Sequence, residues 1–273
     1  MNSQAEKGRL FRELHAREGA FVIPNVFDAG SARIMQHTGF AAVATTSAGA
    51  AYTMATVDQR VSRDAMLAHA RAIVAGTDLP VSADLENGYG HDPATVAETV
   101  RLAAHTGLVG CSIEDGTQIE NDPIYDIGKA VERVRAAVEA AHSLPFTFTL
   151  TARAENYVTG RPDLRDTIRR LQAYQDAGAD VLFAPGLTDR NDIATVVKSI
   201  DRPLNVVVGL AGFVAGVADL TALGVKRISV GSSLTRAMYT AVLNAAREMR
   251  EHGTFAFAKE AVGSAELEKM FNP

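Results

Sequence analysis

Eight short apolar runs, each followed by a stretch of helical period, constrain what this chain can fold into more than any other feature. They occupy residues 21–26, 41–46, 81–85, 110–115, 146–153, 181–185, 204–208 and 227–230. Each is nearly continuous in apolar character, the pattern of strands covered on both faces in a parallel sheet. Helical periods fill the gaps, at residues 29–37, 63–75, 93–105, 126–142, 163–177, 190–199, 214–223 and 233–249. Asp92-Pro93 gives the third of these an N-cap and a first-turn proline. Eight such units most often close into a (β/α)8 barrel. The alternative, a doubly wound open sheet, normally carries a glycine fingerprint that is absent here.

Two segments lie outside the eight units. Residues 3–17, with Leu10, Phe11 and Leu14 at helical spacing, predict an amphipathic lead-in helix. Residues 255–271 are again helical in period, with an apolar face (Phe255, Phe257, Ala258, Ala261, Leu267) that one barrel does not need. A face of this kind is expected to pack on a partner subunit.

The chain has 273 residues, of which 47% are apolar, enough for one large core, and no low-complexity linker divides it. One domain over residues 1–273 is therefore expected. A net charge of -5 without any basic run argues against nucleic acid as a partner. No apolar run approaches the length of a membrane span. Cys111 is the lone cysteine, which excludes an intrachain disulfide and fits a reducing compartment. Residues 1–17 are mixed and charged, without the apolar core of a signal peptide, so a cytoplasmic location is expected.

In a barrel of this type, chemistry gathers at the carboxyl ends of the strands. Asp84 and Glu86 end the third run, two residues apart and so on one face of a strand. Two acids held together repel unless a cation, a proton or a cluster of donors neutralises them. A metal site and a pair of helix-capping or solvated loop acids both satisfy that pattern. The other strand ends add Asn25 and Asp28, Ser47 and Gly49, Glu114 and Asp115, Arg153 and Glu155, Asn205, and Gly231-Ser232. So many hard oxygen ligands suit Mg²⁺, with Mn²⁺ as a substitute, whereas zinc lacks histidine or cysteine ligands at a strand end. The planar fork of Arg153 matches an anionic substrate bidentately, and an internal ion pair with Glu155 or Glu114 is its alternative role. The Ser47-Ala48-Gly49 turn offers backbone N–H groups to an anion.

Thr45-Thr46-Ser47-Ala48-Gly49, Asp84-Leu85-Glu86-Asn87-Gly88-Tyr89-Gly90, Ser112-Ile113-Glu114-Asp115 and Thr151-Ala152-Arg153-Ala154-Glu155, in this order, resemble the phosphoenolpyruvate mutase/isocitrate lyase superfamily. The resemblance implies a (β/α)8 barrel whose terminal helix is swapped between subunits of a homodimer or homotetramer. It also implies Mg²⁺ at the barrel mouth and chemistry on a small 2-oxo acid or related carboxylate. By motif, Asp84 resembles the direct metal ligand, and Glu86 and Glu114 the holders of its waters. Arg153 resembles the clamp for the substrate carboxylate, and Ser47, Ala48 and Gly49 the backbone cradle around it. Asp58 is similar in position to a family acid near the substrate, though its flanking residues are not distinctive. Charge developing on the oxo oxygen as a bond to the next carbon breaks is then stabilised electrostatically, as an enolate.

The loop after the fourth strand, residues 116–125, departs from the family pattern. Members that cleave isocitrate or methylisocitrate carry a longer lid with a K-[KR]-C-G-H motif, which is absent here. Cys111 is no substitute, because it lies within the strand. Mutases and phosphonopyruvate hydrolases carry a lysine and an asparagine in the lid; Asn121 matches the asparagine, and no lysine precedes Lys129 in the loop. The resulting expectation is a carbon–carbon lyase or decarboxylase acting on a 2-oxo or 2-hydroxy acid. A carbon–phosphorus mutase or hydrolase is one alternative, and a 2-oxo acid binding protein without turnover is another. Asn205 is a further candidate contact to substrate, with a structural backbone role as the other reading. His91 and Tyr89 are expected at the rim, solvated or packed.

Overall fold

The computed structural model describes residues 2–210 and 212–272. Its strands are β1 (Phe21–Ile23), β2 (Asn25–Val26), β3 (Val43–Thr45), β4 (Val81–Asp84), β5 (Gly110–Glu114), β6 (Thr149–Arg153), β7 (Val181–Phe183), β8 (Leu204–Val207) and β9 (Arg227–Ser229). All pairings are parallel, in the order β1-β9-β8-β7-β6-β5-β4-β3-β2. The nine strands make eight staves, because β1 and β2 are two halves of one stave broken at Pro24. Proline has no N–H to donate and interrupts the ladder there. Its carbonyl still accepts from Ala44 N at 2.9 Å, so β1 pairs with β9 and β2 with β3, and the (β/α)8 barrel closes.

The helices are α1 (Gln4–Ala16), α2 (Ala29–His37), α3 (Ser47–Thr53), α4 (Arg63–Ala75), α5 (Pro93–Ala104), α6 (Ile127–His142), α7 (Leu164–Asp176), α8 (Arg190–Ser199), α9 (Val217–Ala222), α10 (Ser233–His252) and α11 (Ser264–Phe271). Most begin at an oxygen-bearing side chain that accepts a first-turn N–H, as Ser62, Asp92, Asp126, Asp163 and Asp189 do. Two expectations need correction. The Ser47-Ala48-Gly49 turn is the first turn of α3, capped by the Thr46 hydroxyl on Gly49 N at 3.2 Å. A Cβ on Gly49 would meet Thr46 Cγ2 and lie 2.5 Å from Thr235 Oγ1, so only glycine lets this turn approach α10. The terminal segment is not one helix. Residues 256–259 form a 3-10 turn, and α11 starts afresh after Gly263 and lies against α2, with Phe271 beside Gly30.

Helix α1 closes the amino-terminal end of the barrel. Phe11 and Leu14 bury against Phe21, Ile23, Ala42 and Val109. Gly8 lies so close to the Thr147 carbonyl that a Cβ there would collide with backbone. His15 belongs to this plug, edge-on to Phe11 and Phe21 at 4.9 and 5.0 Å. Its Nδ1 faces Phe11 O at 2.8 Å, and its Nε2 faces Arg227 Nη1 at 3.4 Å. Burial, then the Arg227 charge, hold His15 down to about 3.

A histidine in the unfolded chain titrates near 6.5, so between that value and about 3 the unfolded state binds the extra proton. Stability from this group is thus fully present above the unfolded value and is lost as pH falls towards the folded one. In urea unfolding, the wild type should lose about 3 kcal/mol more than His15→Gln on going from pH 7 to pH 4. The glutamine keeps a donor and an acceptor but does not titrate. Parallel pH curves for the two proteins would contradict this reading.

Candidate active site

At the carboxyl ends of β4, β5 and β6 one guanidinium stands among three carboxylates. Arg153 Nη1 lies 2.8 Å from Asp84 Oδ1, its Nη2 3.1 Å from Glu114 Oε2, and its Nε 3.0 Å from Glu155 Oε1. The pairing register places Glu114 opposite Arg153 and Asp84 opposite Ser112, so neighbouring staves supply the cluster. The far side of Asp84 faces α3, where Ser47 Oγ and Ser47 N approach Oδ2 at 3.2 and 3.4 Å. Burial pushes Glu114 and Glu155 above the ordinary carboxylate range, and Arg153 opposes that push on both. The three acids hold the Arg153 proton correspondingly tightly.

Glu86 lies outside this ion-pair triad. Only 3% exposed, it is pushed up to about 7, first by burial and then by Asp84 and Asp58. Its backbone is left-handed, at φ 50°, as is that of Tyr89 at 61°. Non-glycine residues hold this conformation only where the surroundings enforce it. Here Glu86 O accepts from Glu114 N at 2.9 Å, and Arg133, on α6, donates to the carbonyls of Asn87 and Gly90. Glu86 Oε2 accepts from Gln118 Nε2 at 2.7 Å, while Oε1 is buried with no partner among the described residues. Asp58, in the exposed loop after α3, lines the cavity that Glu86 also borders. Partial burial and the Asp84 charge raise its carboxyl above the usual value.

The loop 116–125 is folded across the outer half of the cluster. A bridge pairs Gly116 with Ile124, and Thr117 N donates to Pro123 O at 3.0 Å. Its far end is anchored where Tyr125 N donates to Asp115 O and Arg170 Nη1 to Tyr125 O, at 2.9 and 2.8 Å. Gln118 is the loop residue that reaches the acids, and sequence reading missed it. Its only signal was position, two residues after Gly116, since a glutamine carries no acid–base chemistry that would draw attention to it. Asn121 points outward and is exposed.

Other candidates have different surroundings. Asp115 accepts from Glu155 N, Arg170 and Tyr174, so it fixes the start of the loop carrying Glu155. Asn25 bridges staves, donating to Thr45 O and accepting from the amides of Val230 and Gly231. Asn205 faces the interior below the acids, with its amide donating to Ser229 Oγ at 2.9 Å and accepting from Arg227 Nε at 2.8 Å. Cys111 is fully buried, and burial raises its thiol far above the reactive range. His91 Nδ1 meets the Tyr125 hydroxyl at 2.5 Å on the rim. Tyr89 Oη is buried without a partner among the described residues.

Five acids (Asp58, Asp84, Glu86, Glu114, Glu155) thus surround one cation. An orphaned carboxylate oxygen and a set of hard donors on neighbouring staves fit a divalent cation such as Mg²⁺. Among the described residues no three ligating side chains converge on one point, because Arg153 stands where Asp84 and Glu114 would meet.

A sequence model described as Phosphoenolpyruvate phosphomutase matches residues 11–250. The chain therefore belongs to the phosphoenolpyruvate mutase/isocitrate lyase superfamily. A crystal structure from Burkholderia cenocepacia J2315, provisionally described as a lyase/mutase, superposes with a TM-score of 0.97 at 55% identity, covering 99% of this chain and 97% of that one. An uncharacterized protein of Mycobacterium tuberculosis H37Rv is 34% identical over 88% of this chain and 89% of its own length. The oxaloacetate decarboxylase of Chromohalobacter salexigens is 27% identical over 91% and 87%.

Proposed function

We propose that this protein is a Mg²⁺-dependent enzyme that breaks a carbon–carbon bond in a small 2-oxo or 2-hydroxy dicarboxylic acid, most simply by decarboxylating an oxaloacetate-like substrate. The observation that carries this reading is the acid cluster on β4 and β5 facing one clamp arginine on β6, under a loop that offers an amide. Asp84 would hold the ion directly, with Glu86 and Glu114 holding its waters. A bound divalent ion supplies Lewis-acid stabilisation of the charge that develops on the substrate oxo group. Arg153 presents a planar fork to the substrate carboxylate once Asp84 is otherwise engaged. The amides of Ser47, Ala48 and Gly49 border that carboxylate, and Asp58 faces it from the α3 side. Gln118 holds Glu86 and shields the site, and its amide neither gives nor takes a proton near neutral pH. That favours a reaction whose bond-breaking step needs no lid acid, with carbon dioxide leaving and solvent protonating the remaining carbanionic carbon. The relative named as an oxaloacetate decarboxylase supports the same chemistry.

The test is a screen of oxaloacetate, phosphonopyruvate, 2-methylisocitrate and isocitrate with and without Mg²⁺, corrected for turnover by the metal alone. Oxaloacetate consumption that needs both protein and metal is the expected result. Turnover of phosphonopyruvate alone would put a carbon–phosphorus enzyme in its place. No turnover, with a metal-dependent rise in Tm on adding a 2-oxo acid, would make it a binding protein.

The exposed side chains Val242, Leu243, Phe255, Phe257 and Phe271 on α10 and the terminal segment support assembly as a homodimer or homotetramer, with the terminal helices exchanged. A monomer in sedimentation velocity at micromolar concentration would remove that proposal. No described helix is long and apolar enough to cross a membrane. With the lone buried thiol, this supports a cytoplasmic location, which fractionation of the source cells would check.

A further inference from the structure

The interior of the barrel below the acid cluster contains a cation with no acid beside it among the described residues. Arg227, on β9, is 5% exposed and lines the same cavity as Asn205, Ser229, Ser82 and Ser112. Its Nε is engaged by Asn205 Oδ1 at 2.8 Å, and Nη1 faces the neutral His15 at 3.4 Å. Nη2 donates to no group among the described residues, and no carboxylate among them lies within 4.0 Å of the guanidinium. The other buried arginines differ. Arg153 and Arg170 are paired with carboxylates, and Arg133 has Asp92, Asp115 and Glu114 in range. Burial pulls Arg227 down to about 9, and no acidic group among the described residues opposes it.

Hydroxyl groups line the same cavity. Ser82 and Ser229 border it with Arg227, and the Ser229 hydroxyl, which accepts from Asn205 Nδ2 at 2.9 Å, keeps its own proton to donate. A buried charge is costly in the absence of a counter-charge.

We propose that the barrel interior binds a small monovalent inorganic anion, of chloride size, against Arg227. The anion neutralises the guanidinium and accepts from nearby hydroxyls. The cavity continues up to Ser47, Asp84 and Arg153 at the mouth, and the anion sits at its Arg227 end as a second position below the substrate anion, so the inference stands whatever reaction the mouth performs. The Asn205 and His15 contacts leave Nη2 to meet it.

Crystals of the intact protein soaked in sodium bromide should show an anomalous peak within hydrogen-bonding distance of Arg227, undisturbed by added oxalate. In parallel, at fixed ionic strength, replacing gluconate with chloride should raise Tm by about 3 °C in the wild type and leave Arg227→Met unchanged. If that variant does not fold, the bromide map alone decides. An empty map or a water at Arg227 would overturn the proposal. So would a peak that oxalate displaces, which would make the position part of the substrate site, or a halide effect equal in wild type and variant.

Discussion

Asp84→Ala is expected to abolish the metal-dependent rise in Tm produced by oxalate and to lower kcat/KM on the order of 10³-fold. That is the scale of losing electrostatic stabilisation of a developing oxyanion. The fold should survive, because Glu114 and Glu155 remain on Arg153 at 3.1 and 3.0 Å when Asp84 is removed. An unaltered Tm without ligand, beside a lost response to metal and oxalate, separates a ligand role from a structural one. A variant that still responds to both would remove Asp84 from the metal site.

Arg153→Met should have the opposite signature. Asp84, Glu114 and Glu155 would lose the guanidinium that pairs with all three, leaving carboxylates buried without compensation. Breaking a buried ion pair from one side typically costs on the order of 3–5 kcal/mol, and here one side serves three partners. Mg²⁺ should therefore raise Tm more in this variant than in the wild type, because the ion replaces the missing positive charge. Activity should still be lost, since the metal does not supply a fork for the substrate carboxylate. Lysine is not expected to rescue, as a single ammonium does not address three carboxylates in three directions. A metal-free Arg153→Met protein as stable as the wild type would contradict the account of the cluster.

The barrel was legible because its strands are buried on both faces, so the apolar runs are continuous and the helices between them keep their own period. Pro24 splits the first stave, a detail that its ring chemistry explains after the fact but that a run of apolar residues conceals. The Ser47-Ala48-Gly49 segment reads as a turn by composition. The Thr46 hydroxyl and the close approach of α10 make it helical, and both are tertiary facts. Of the site, the acids at the strand ends could be placed because a strand's carboxyl end is fixed by the architecture. Their partners were less visible. The ion pair that engages Arg153 depends on which staves are neighbours and in what register, as does the isolation of Arg227. Gln118 reaches Glu86 through a left-handed backbone in a ten-residue loop, at φ 63°, and no periodicity reports that.

The most direct test is anomalous diffraction at the manganese edge from crystals grown with Mn²⁺ and oxalate. The account predicts one strong peak beside Asp84, with Glu86 and Glu114 turned towards it and Arg153 moved from Asp84 to an oxalate carboxylate. A map with no peak there, and Arg153 still bound to Asp84, Glu114 and Glu155, would contradict it.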